Sequence, residues 1–275
     1  MAESVASHKT MNVLETTLLT RKYGKLTAVD GLTVMVAAGE AFGLLGPNGA
    51  GKTTVIKMLT TLLPLTSGRA FVCGQEIQKQ AAAVRRLIGY VPQAVSVDGS
   101  LTDYENLLIF AKLYDIPRRE RDSRLSDALQ MVGLTDAADK LVRQYSGGMI
   151  RRLEIAQSTL HRPALLFLDE PTVGLDPVAR QAIWQHIKRL RAEHGTTIFL
   201  TTHDMEEADR LCSRIAIMHL GKVVITDTPA RLKAAIGKPQ ATLGEVFIHY
   251  AGDRLESGSS YRETTRGRRT ARRLG

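Results

Sequence analysis

An octet of small and charged residues, "GPNGAGKT" at 46–53, carries the clearest chemistry in this sequence. It places Gly51, Lys52 and Thr53 at the end of a glycine-rich loop that begins at Gly46, between an apolar run and a helical pattern. Such a loop lets backbone N–H groups close around phosphate oxygens, while the helix N-terminus adds a partial positive charge. Lys52 would reach the β and γ phosphates of a nucleotide, and the Thr53 hydroxyl would bind Mg²⁺. The alternative is a glycine-rich turn that binds nothing.

Two acids at the end of a second apolar run, "ALLFLDEP", supply partners for this loop. Asp169 is placed to hold Mg²⁺, and Glu170 is placed to polarise an attacking water. On its own, an Asp-Glu pair after a strand is more often a helix cap or a surface pair. Beside a phosphate loop we favour the catalytic interpretation. The nucleotide-binding loop that we predict comprises Gly46, Pro47, Asn48, Gly49, Ala50, Gly51, Lys52, Thr53 and Thr54.

Short apolar runs that alternate with amphipathic segments position these groups. Strands are predicted at "NVLETTLL", "LTVMV", "AFGLLG", "RAFVCG", "LIGYV", "ALLFLDE" and "TTIFLTT", and a hairpin at "IAIMHLGKVVIT". Helices are predicted over 52–63 and 179–195, and the pattern from 101 to 160 is helical without a convincing strand. The layout is therefore α/β, interrupted by an all-helical insertion.

Five further short stretches occur in a fixed order along the chain. They are Tyr23 in "RKYGKLTAVDG", Gln93 in "YVPQ", "YSGGM" at 145–149, "GLDP" at 174–177 and His203 in "TTHDMEEAD". With the phosphate loop and the acids, they resemble the ATP-binding-cassette (ABC) ATPases. In that family the matching stretches are an adenine-stacking aromatic residue, the glutamine loop, the signature sequence, the dimer-contact loop and the switch histidine.

The resemblance implies a fold and the boundaries of its domains. We expect a phosphate-loop ATPase core, with a mixed sheet, flanking helices and an N-terminal antiparallel β subdomain, plus the all-helical insertion subdomain. The ATPase domain would cover 12–250, with the insertion at about 94–160. Residues 251–275 hold seven arginines against three acids and lack periodicity, so we expect a basic, disordered tail. A specific membrane or partner contact is the alternative for this tail.

The resemblance also implies catalytic roles. Glu170 would orient or deprotonate the attacking water, His203 would contact the γ-phosphate, and Gln93 would sense Mg²⁺ and water. The resemblance thus implies a metal set of Thr53, Gln93 and Asp169, ATP and Mg²⁺ as cofactors, and ATP hydrolysis as the activity. Tyr23 would stack on adenine, although a surface aromatic in a turn is the plainer interpretation.

A second anion site is implied by the signature. Ser146, Gly147 and Gly148 open a helix, and in the family they close over ATP that is held by the other subunit of a two-fold homodimer. Asp176, in the dimer-contact loop, joins the same binding set. Tyr145 and Met149 depart from the usual Leu and Gln of the signature. Together with the stretch that follows at 151–177, they resemble the sequences of the antibiotic-resistance exporters typified by the daunorubicin and doxorubicin pumps.

Partners and location follow from the same resemblance. No window approaches 18 consecutive apolar residues, so we expect a separately encoded membrane permease, docked on the helical insertion. The predicted location is cytoplasmic, on the inner face of the cell membrane. Part of the net charge of +9 lies in the tail, and we expect no nucleic-acid partner. The predicted cargo is a drug, antibiotic or lipid-like compound.

Two other functions compete with transport. Some ABC ATPases act on ribosomes or DNA, but these usually carry two cassettes or long coiled coils, and this chain has one cassette and no heptads. A kinase-like or GTPase phosphate-loop enzyme is the other alternative. The signature, the glutamine loop and the lack of an Asn-Lys-x-Asp base reader count against it.

Overall fold

The computed structural model describes residues 12–137, 140–238 and 240–252, and its centre is a six-stranded sheet in the order β11-β10-β4-β9-β8-β7. Five of the strands run parallel, and β11 pairs antiparallel with β10. The strands of this sheet are β4 (Ala41–Leu45), β7 (Ile88–Val91), β8 (Leu165–Asp169), β9 (Thr197–Thr202), β10 (Arg214–His219) and β11 (Lys222–Asp227). The predicted mixed sheet is therefore confirmed.

Burial explains why the central strands are almost continuous apolar runs. Every residue of β4, β8 and β9 is buried, as expected for parallel strands that helices cover on both faces. Phe42, Phe167 and Phe199, one from each of these strands, pack with ring centroids 5.5 Å apart for each pair that includes Phe199. The flanking helices include α1 (Lys52–Leu59), α2 (Ala81–Leu87), α6 (Pro177–His194) and α7 (Met205–Leu211).

A second sheet is antiparallel, and its strands come from the chain segments before and after the phosphate loop. It has the order β2-β1-β5-β6, with β3 pairing with β1. Its strands are β1 (Asn12–Tyr23), β2 (Leu26–Leu32), β3 (Met35–Ala37), β5 (Ser67–Val72) and β6 (Gln75–Glu76). The predicted strand "LTVMV" is divided here, because β2 ends at Leu32 and β3 begins at Met35.

The segment between β7 and β8 is helical and has a core of its own. It contains α3 (Asp103–Leu113), α4 (Arg118–Val132) and α5 (Gly147–Thr159), joined by short 3₁₀ turns. Thr102 and Glu105 form a capping box at the start of α3, and Gly133 ends α4 with a φ of 64°. The all-helical insertion is thus confirmed, and its buried residues form a separate hydrophobic cluster.

The remaining helices differ in part from the sequence prediction. Helix α1 ends at Leu59 rather than at residue 63, and Thr61 then takes a left-handed φ of 63°. Two short helices, α8 (Pro229–Ala235) and α9 (Leu243–Gly252), complete the described chain.

Nearly all of the predicted tail, residues 253–275, lies outside the described residues, and the limits 12–250 remain a prediction. Within the described ranges, no helix has the length and apolar character needed to cross a membrane.

Candidate active site

The carboxyl ends of four parallel strands meet at one edge of the six-stranded sheet. There β4 leads into loop 46–51, β8 ends at Asp169 and is followed by Glu170, β9 is followed by His203, and β7 by Pro92 and Gln93. The strand order β4-β9-β8-β7 makes these connections neighbours. This is the edge at which α/β sheets bind their ligands.

Close backbone packing requires glycine at two positions of the phosphate loop. A Cβ on Gly46 would lie 2.2 Å from the Met218 carbonyl oxygen, and one on Gly51 would lie 2.4 Å from that of Ala28. Gly51 also has a φ of 109°, which side chains rarely allow. The loop therefore packs directly on the backbone of β10 and β2. This close packing requires glycine at positions 46 and 51, whatever the loop binds.

The rest of the loop is shaped for access from one side. Asn48 and Gly49 are exposed, Pro47 is half-buried, and Ala50 is buried, with its N–H donating to the Pro47 carbonyl at 3.1 Å. Thr54, in the first turn of α1, is half-buried.

Lys52 is held inside the site by carbonyl groups of its own loop. Its ammonium donates to the carbonyl oxygens of Gly46 at 2.7 Å and Pro47 at 3.2 Å, and it forms an ion pair with Glu170 at 3.1 Å. The residue is 4% exposed, and this burial lowers the pKa of Lys52, with the Glu170 charge opposing the shift. A preorganised buried cation of this kind suits a phosphate group.

The Asp169 carboxylate has one oxygen in use and one available. Its Oδ1 accepts hydrogen bonds from Thr201 at 2.6 Å and from Thr53 at 3.2 Å, while the buried Oδ2 has no hydrogen-bond partner among the described residues. Burial raises the pKa of Asp169, and the two threonine bonds oppose that shift. A buried carboxylate oxygen beside a threonine hydroxyl is the donor chemistry that Mg²⁺ prefers.

Glu170 is the residue on which the catalytic groups converge. Its carboxylate faces Lys52, accepts a hydrogen bond from the Gln93 amide at 3.2 Å, and lies 3.5 Å from His203 Nδ1. The residue is 5% exposed and has a φ of 50°, a conformation that non-glycine residues rarely adopt. Its N–H donates to the Thr201 carbonyl at 3.0 Å, which holds this backbone on the neighbouring strand.

An ion pair in the helical insertion supports Gln93, and the sequence analysis missed it. Arg151 on α5 donates to the carbonyl oxygens of Pro92 at 2.7 Å and Gln93 at 3.2 Å, and it pairs with Glu154 at 2.9 Å. The Glu154 carboxylate also accepts from the Ser96 N–H. The sequence shows only that Arg151 lies five residues after Ser146, and this spacing does not indicate a contact with Gln93.

The signature residues open helix α5. Ser146 is its N-cap and accepts from the Met149 N–H at 3.3 Å; Ser146 and Gly147 are exposed, and Gly148 is buried. A Cβ on Gly148 would lie 2.7 Å from the Ala179 Cβ of helix α6, so this glycine permits the close packing of α5 on α6.

The two departures from the usual signature pack into the insertion. Tyr145 is buried, and its hydroxyl lies 2.9 Å from Asp103 Oδ2 and 3.0 Å from the Ala137 carbonyl oxygen. Burial, together with the bond to Asp103, raises the pKa of Tyr145, so the phenol remains a neutral donor. Met149 packs against the same hydrophobic cluster. Tyr145 thus ties the signature to the start of α3.

Asp176 and Tyr23 occupy plainer environments. The exposed Asp176 caps helix α6 by accepting from the N–H groups of Val178 and Ala179, both at 2.9 Å. Tyr23 is half-buried at the end of β1, with the Arg21 guanidinium 4.6 Å from its ring centroid.

The structure therefore divides the predicted residues into two groups. Direct contacts join Lys52, Thr53, Gln93, Asp169, Glu170 and His203. Among the residues described, no hydrogen bond or ion pair connects Tyr23 or Ser146 to that cluster. The first group can hold a triphosphate and act on water; the second offers an aromatic face and a helix N-terminus.

Comparison with known proteins agrees with this geometry. Residues 29–173 match the family model described as ABC transporter. The chain is 46% identical over 217 residues to a daunorubicin resistance ATP-binding protein, DrrA2, of Streptomyces coeruleorubidus, covering 79% of this chain and 67% of the relative. It is 43% identical over 244 residues to the daunorubicin/doxorubicin resistance ATP-binding protein DrrA of Streptomyces peucetius, covering 89% and 73%.

One similar solved structure was captured after ATP hydrolysis. A dimeric ATP-binding cassette in a post-hydrolysis state, bound to ADP and Pi, superposes with a TM-score of 0.70 at 27% identity and covers 78% of this chain and 98% of its own. This chain belongs to the ABC transporter family. It is an ATP-binding subunit of that family and an ATPase, as the sequence predicted.

Proposed function

We propose that this chain energises an exporter, by hydrolysing Mg-ATP at two sites that two copies of the chain share. One observation carries the hydrolytic part of the proposal: Lys52, Gln93 and His203 all reach the carboxylate of Glu170, the residue that follows β8. Phosphoryl transfer to water needs positioning and charge neutralisation more than covalent chemistry, and this cluster supplies both.

In the proposed mechanism, each residue of the cluster has one task. The loop 46–54 and Lys52 bind the triphosphate, so the Lys52 ammonium that now faces Glu170 turns to the γ-phosphate. Glu170 is then free to orient the attacking water and accept its proton. Gln93 donates to the carboxylate and keeps it aimed at the water. His203, whose Nδ1 lies 3.5 Å from Glu170, is close enough to the reacting groups to contact the γ-phosphate once ATP is bound.

The residues present fit a magnesium ion. The Thr53 hydroxyl and the partnerless Oδ2 of Asp169 would hold it, directly or through water. Gln93, whose amide donates to the adjacent Glu170, would be the third member of the set. When bound, Mg²⁺ neutralises charge on the β and γ phosphates. Thr201 supports this role because it holds Asp169 Oδ1 at 2.6 Å and leaves the other oxygen available.

The second half of each site comes, in this proposal, from the other copy. Ser146, Gly147 and Gly148 offer N–H groups and a hydroxyl at a helix N-terminus, where Ser146 and Gly147 are exposed. The exposed loop around Asp176 lies beside this helix start, since Gly148 packs on Ala179 of α6. Tyr23 completes the site by stacking on adenine.

Transport rests on the relatives. Two similar proteins are named as daunorubicin resistance ATP-binding proteins, and we extend drug-type export to this chain from those names. The pore would be a separate membrane permease that docks on the helical insertion between Gln93 and Ser146. The chain would then work on the cytoplasmic face of the membrane.

Substitution of Glu170 tests the hydrolytic part. Glu170→Gln should reduce turnover by about 10²–10⁴-fold, the usual contribution of a positioned base, while Mg-ATP binding persists and gel filtration shifts towards dimer. Glu206→Gln, an exposed carboxylate on α7, is the matched control. Turnover of the Glu170 variant within threefold of wild type would exclude this role.

Affinity purification from detergent-solubilised membranes tests the transport part. The tagged chain should retain a multi-span membrane protein, and cells that express both should lose accumulated daunorubicin faster than cells with the Glu170→Gln variant. Equal daunorubicin accumulation in the two strains would refute drug export of this type, whereas an intact ATPase without any membrane partner would refute transport.

A further inference from the structure

Helix α7 carries a buried carboxylate that has no place in the mechanism above. Glu207 is 1% exposed, and its Oε1 accepts hydrogen bonds from the Thr172 hydroxyl at 2.7 Å and from the Trp184 indole N–H at 3.1 Å. The Thr202 side chain also interacts with this carboxylate. Glu207 is thus connected to three different segments of the protein.

Each of those segments carries or adjoins a group of the active site. Thr172 lies two residues after Glu170, in the loop that leaves β8. Thr202 is the last residue of β9 and directly precedes His203. Trp184 lies on α6, the helix whose N-cap is Asp176. One carboxylate therefore joins the loop of the proposed water-orienting residue to the loop of the switch histidine.

A second carboxylate fixes the start of the same helix. Asp204 caps α7 by accepting from the N–H groups of Glu206 and Glu207, and it pairs with Arg180 of α6 at 2.9 Å. The start of α7 is anchored in this way three residues before Glu207, and the Glu207 carboxylate connects that helix to Thr172 in the loop that follows Glu170. His203 Nδ1 lies 3.5 Å from Glu170.

The energetic argument is that a buried carboxylate is costly unless donors hold it. Burial raises the pKa of Glu207, and the bonds from its three donors oppose that shift. An apolar side chain of similar volume would fill the same space without this desolvation cost. What the carboxylate adds is a defined geometry, since two donors from separate elements must both point at one oxygen.

We propose that Glu207 is a positioning residue for ATP hydrolysis. It lies four residues after His203, and its bonds to Thr172 and Trp184 hold the His203 loop at a fixed position relative to the Glu170 loop. This inference rests on the proposed roles of Glu170 and His203. Glu207 itself touches neither ATP nor water in this mechanism, so its loss should affect the chemical step rather than nucleotide binding.

Replacement of Glu207 by an apolar and by a polar side chain tests the inference. Glu207→Leu removes the acceptor at similar volume, and we expect kcat to fall by about 10- to 100-fold, the scale of a small misplacement of catalytic groups, with KM for ATP within threefold of wild type. Glu207→Gln keeps one acceptor oxygen and should recover most of kcat. Glu206→Leu, at the exposed neighbouring position, should match wild type.

Thr172 provides an independent route that leaves α7 intact. Thr172→Val removes the hydroxyl and should lower kcat, whereas Thr172→Ser retains it and should not. Because Thr172→Val and Glu207→Leu break the same bond, the double variant should lose no more than Glu207→Leu alone.

The outcomes separate this inference from the proposed function. Wild-type kcat in Glu207→Leu, with Glu170→Gln inactive in the same assay, overturns the positioning role only; an active Glu170→Gln overturns the proposed function. If Glu207→Leu does not fold, the Thr172 pair decides: equal kcat in the Val and Ser variants overturns the inference. Additive losses in the double variant also overturn it.

Discussion

Two glycine-rich helix starts in this protein resemble each other in sequence and differ in their surroundings. The phosphate loop ends at Gly51 and opens α1, and the two signature glycines, Gly147 and Gly148, lie in the first turn of α5. The first is packed into the sheet, with Lys52 only 4% exposed. The second presents Ser146 and Gly147 to solvent.

The difference lies in the groups that accompany each helix start. Lys52, Asp169 and Glu170 surround the phosphate loop, so one chain provides both a cation for phosphate and acids for chemistry. The signature offers N–H groups and the Ser146 hydroxyl, and in the part of the chain that the structure describes Ser146 is hydrogen-bonded to the Met149 N–H rather than to an acid. We infer that the phosphate loop and its acids are the part of the site that one chain builds by itself, and that the signature completes the site of the other copy.

The largest expected effect comes from disabling each helix start separately. Lys52→Ala should lose both ATP binding and turnover, with turnover falling by roughly 10²–10³-fold or more because a preorganised cation is lost. Gly147→Asp should lose turnover but retain ATP binding, since a Cβ there meets only Leu175 at 3.5 Å and the fold tolerates it. ATP affinity by equilibrium dialysis and phosphate release measure the two properties.

Mixing the two inactive variants sharpens the comparison. A mixed dimer contains one intact pair, the phosphate loop of the Gly147→Asp subunit and the signature of the Lys52→Ala subunit, and should regain turnover at one site. If no ratio restores activity, a cysteine crosslink from position 146 to the opposite phosphate loop, tested with ATP, decides whether the shared site forms.

The next effect concerns the adenine side of the phosphate-loop site. Tyr23→Ala should weaken ATP binding by about 5- to 150-fold, because stacking on a base contributes roughly 1–3 kcal/mol. Tyr23→Phe should be nearly neutral, since the Arg21 guanidinium can lie over either ring. Titration with a fluorescent ATP analogue measures both. Unchanged affinity in the alanine variant contradicts stacking, and strong rejection of GTP would mean that other residues read the base.

A smaller effect distinguishes the two glycines of the signature. Gly148→Ala should destabilise the fold by about 1–3 kcal/mol, the usual penalty of overpacking, because its Cβ would lie 2.7 Å from the Ala179 Cβ. Gly147→Ala should leave stability unchanged. Urea unfolding of both variants without ATP gives the comparison; equal midpoints would show that α5 and α6 separate at little cost.

The smallest effect has the opposite sign and concerns Asp169. Asp169→Asn should raise the thermal midpoint in the absence of ATP by a few degrees at most, on a scale where about 1 kcal/mol moves Tm by roughly 2–4 °C. Because burial raises the pKa of Asp169, the folded state binds its proton more tightly than the unfolded state does. The charged form therefore costs stability above that raised pKa, and the cost disappears as pH falls through it.

The pH dependence of the midpoint difference is the test for Asp169. The difference between variant and wild type should be constant above the raised pKa of Asp169, and it should shrink as pH falls below that pKa towards the unfolded-state value. A difference that does not vary with pH would indicate that the gain is unrelated to the carboxylate charge. Mg-ATP binding should be weakened in the same variant.

Sequence patterns predicted several of the individual strands and helices. The apolar runs of β4, β8 and β9 were recognisable because parallel strands are buried on both faces. Strand β2 and the seven-residue helices α2, α7 and α8 were not predicted, since such short segments show too few turns of periodicity. Helix α1 ended early because Thr61 takes a left-handed conformation, which no pattern signalled.

The candidate site was predictable where motifs carry their own chemistry. The phosphate loop and the two acids that follow β8 could be named from residue type and spacing, whereas the switch histidine was named from the resemblance to a family. Thr201, Arg151 and Glu207 could not, because each acts by a contact with a distant part of the chain: Thr201 with Asp169, Arg151 with Pro92, Glu207 with Thr172. A threonine, an arginine or a glutamate on a helix or strand has no sequence feature that reveals such a partner.

The sequence by itself determined which residues can bind phosphate and activate water, because glycine conformations, side-chain charge and the strand-to-helix order are properties of short segments. Only the tertiary structure decided how those groups meet. The strand order β4-β9-β8-β7 brings Lys52, His203 and Gln93 to one carboxylate, although these residues are far apart in the chain. Contacts of this kind depend on which strands become neighbours, and that choice is made by the packing of the whole core.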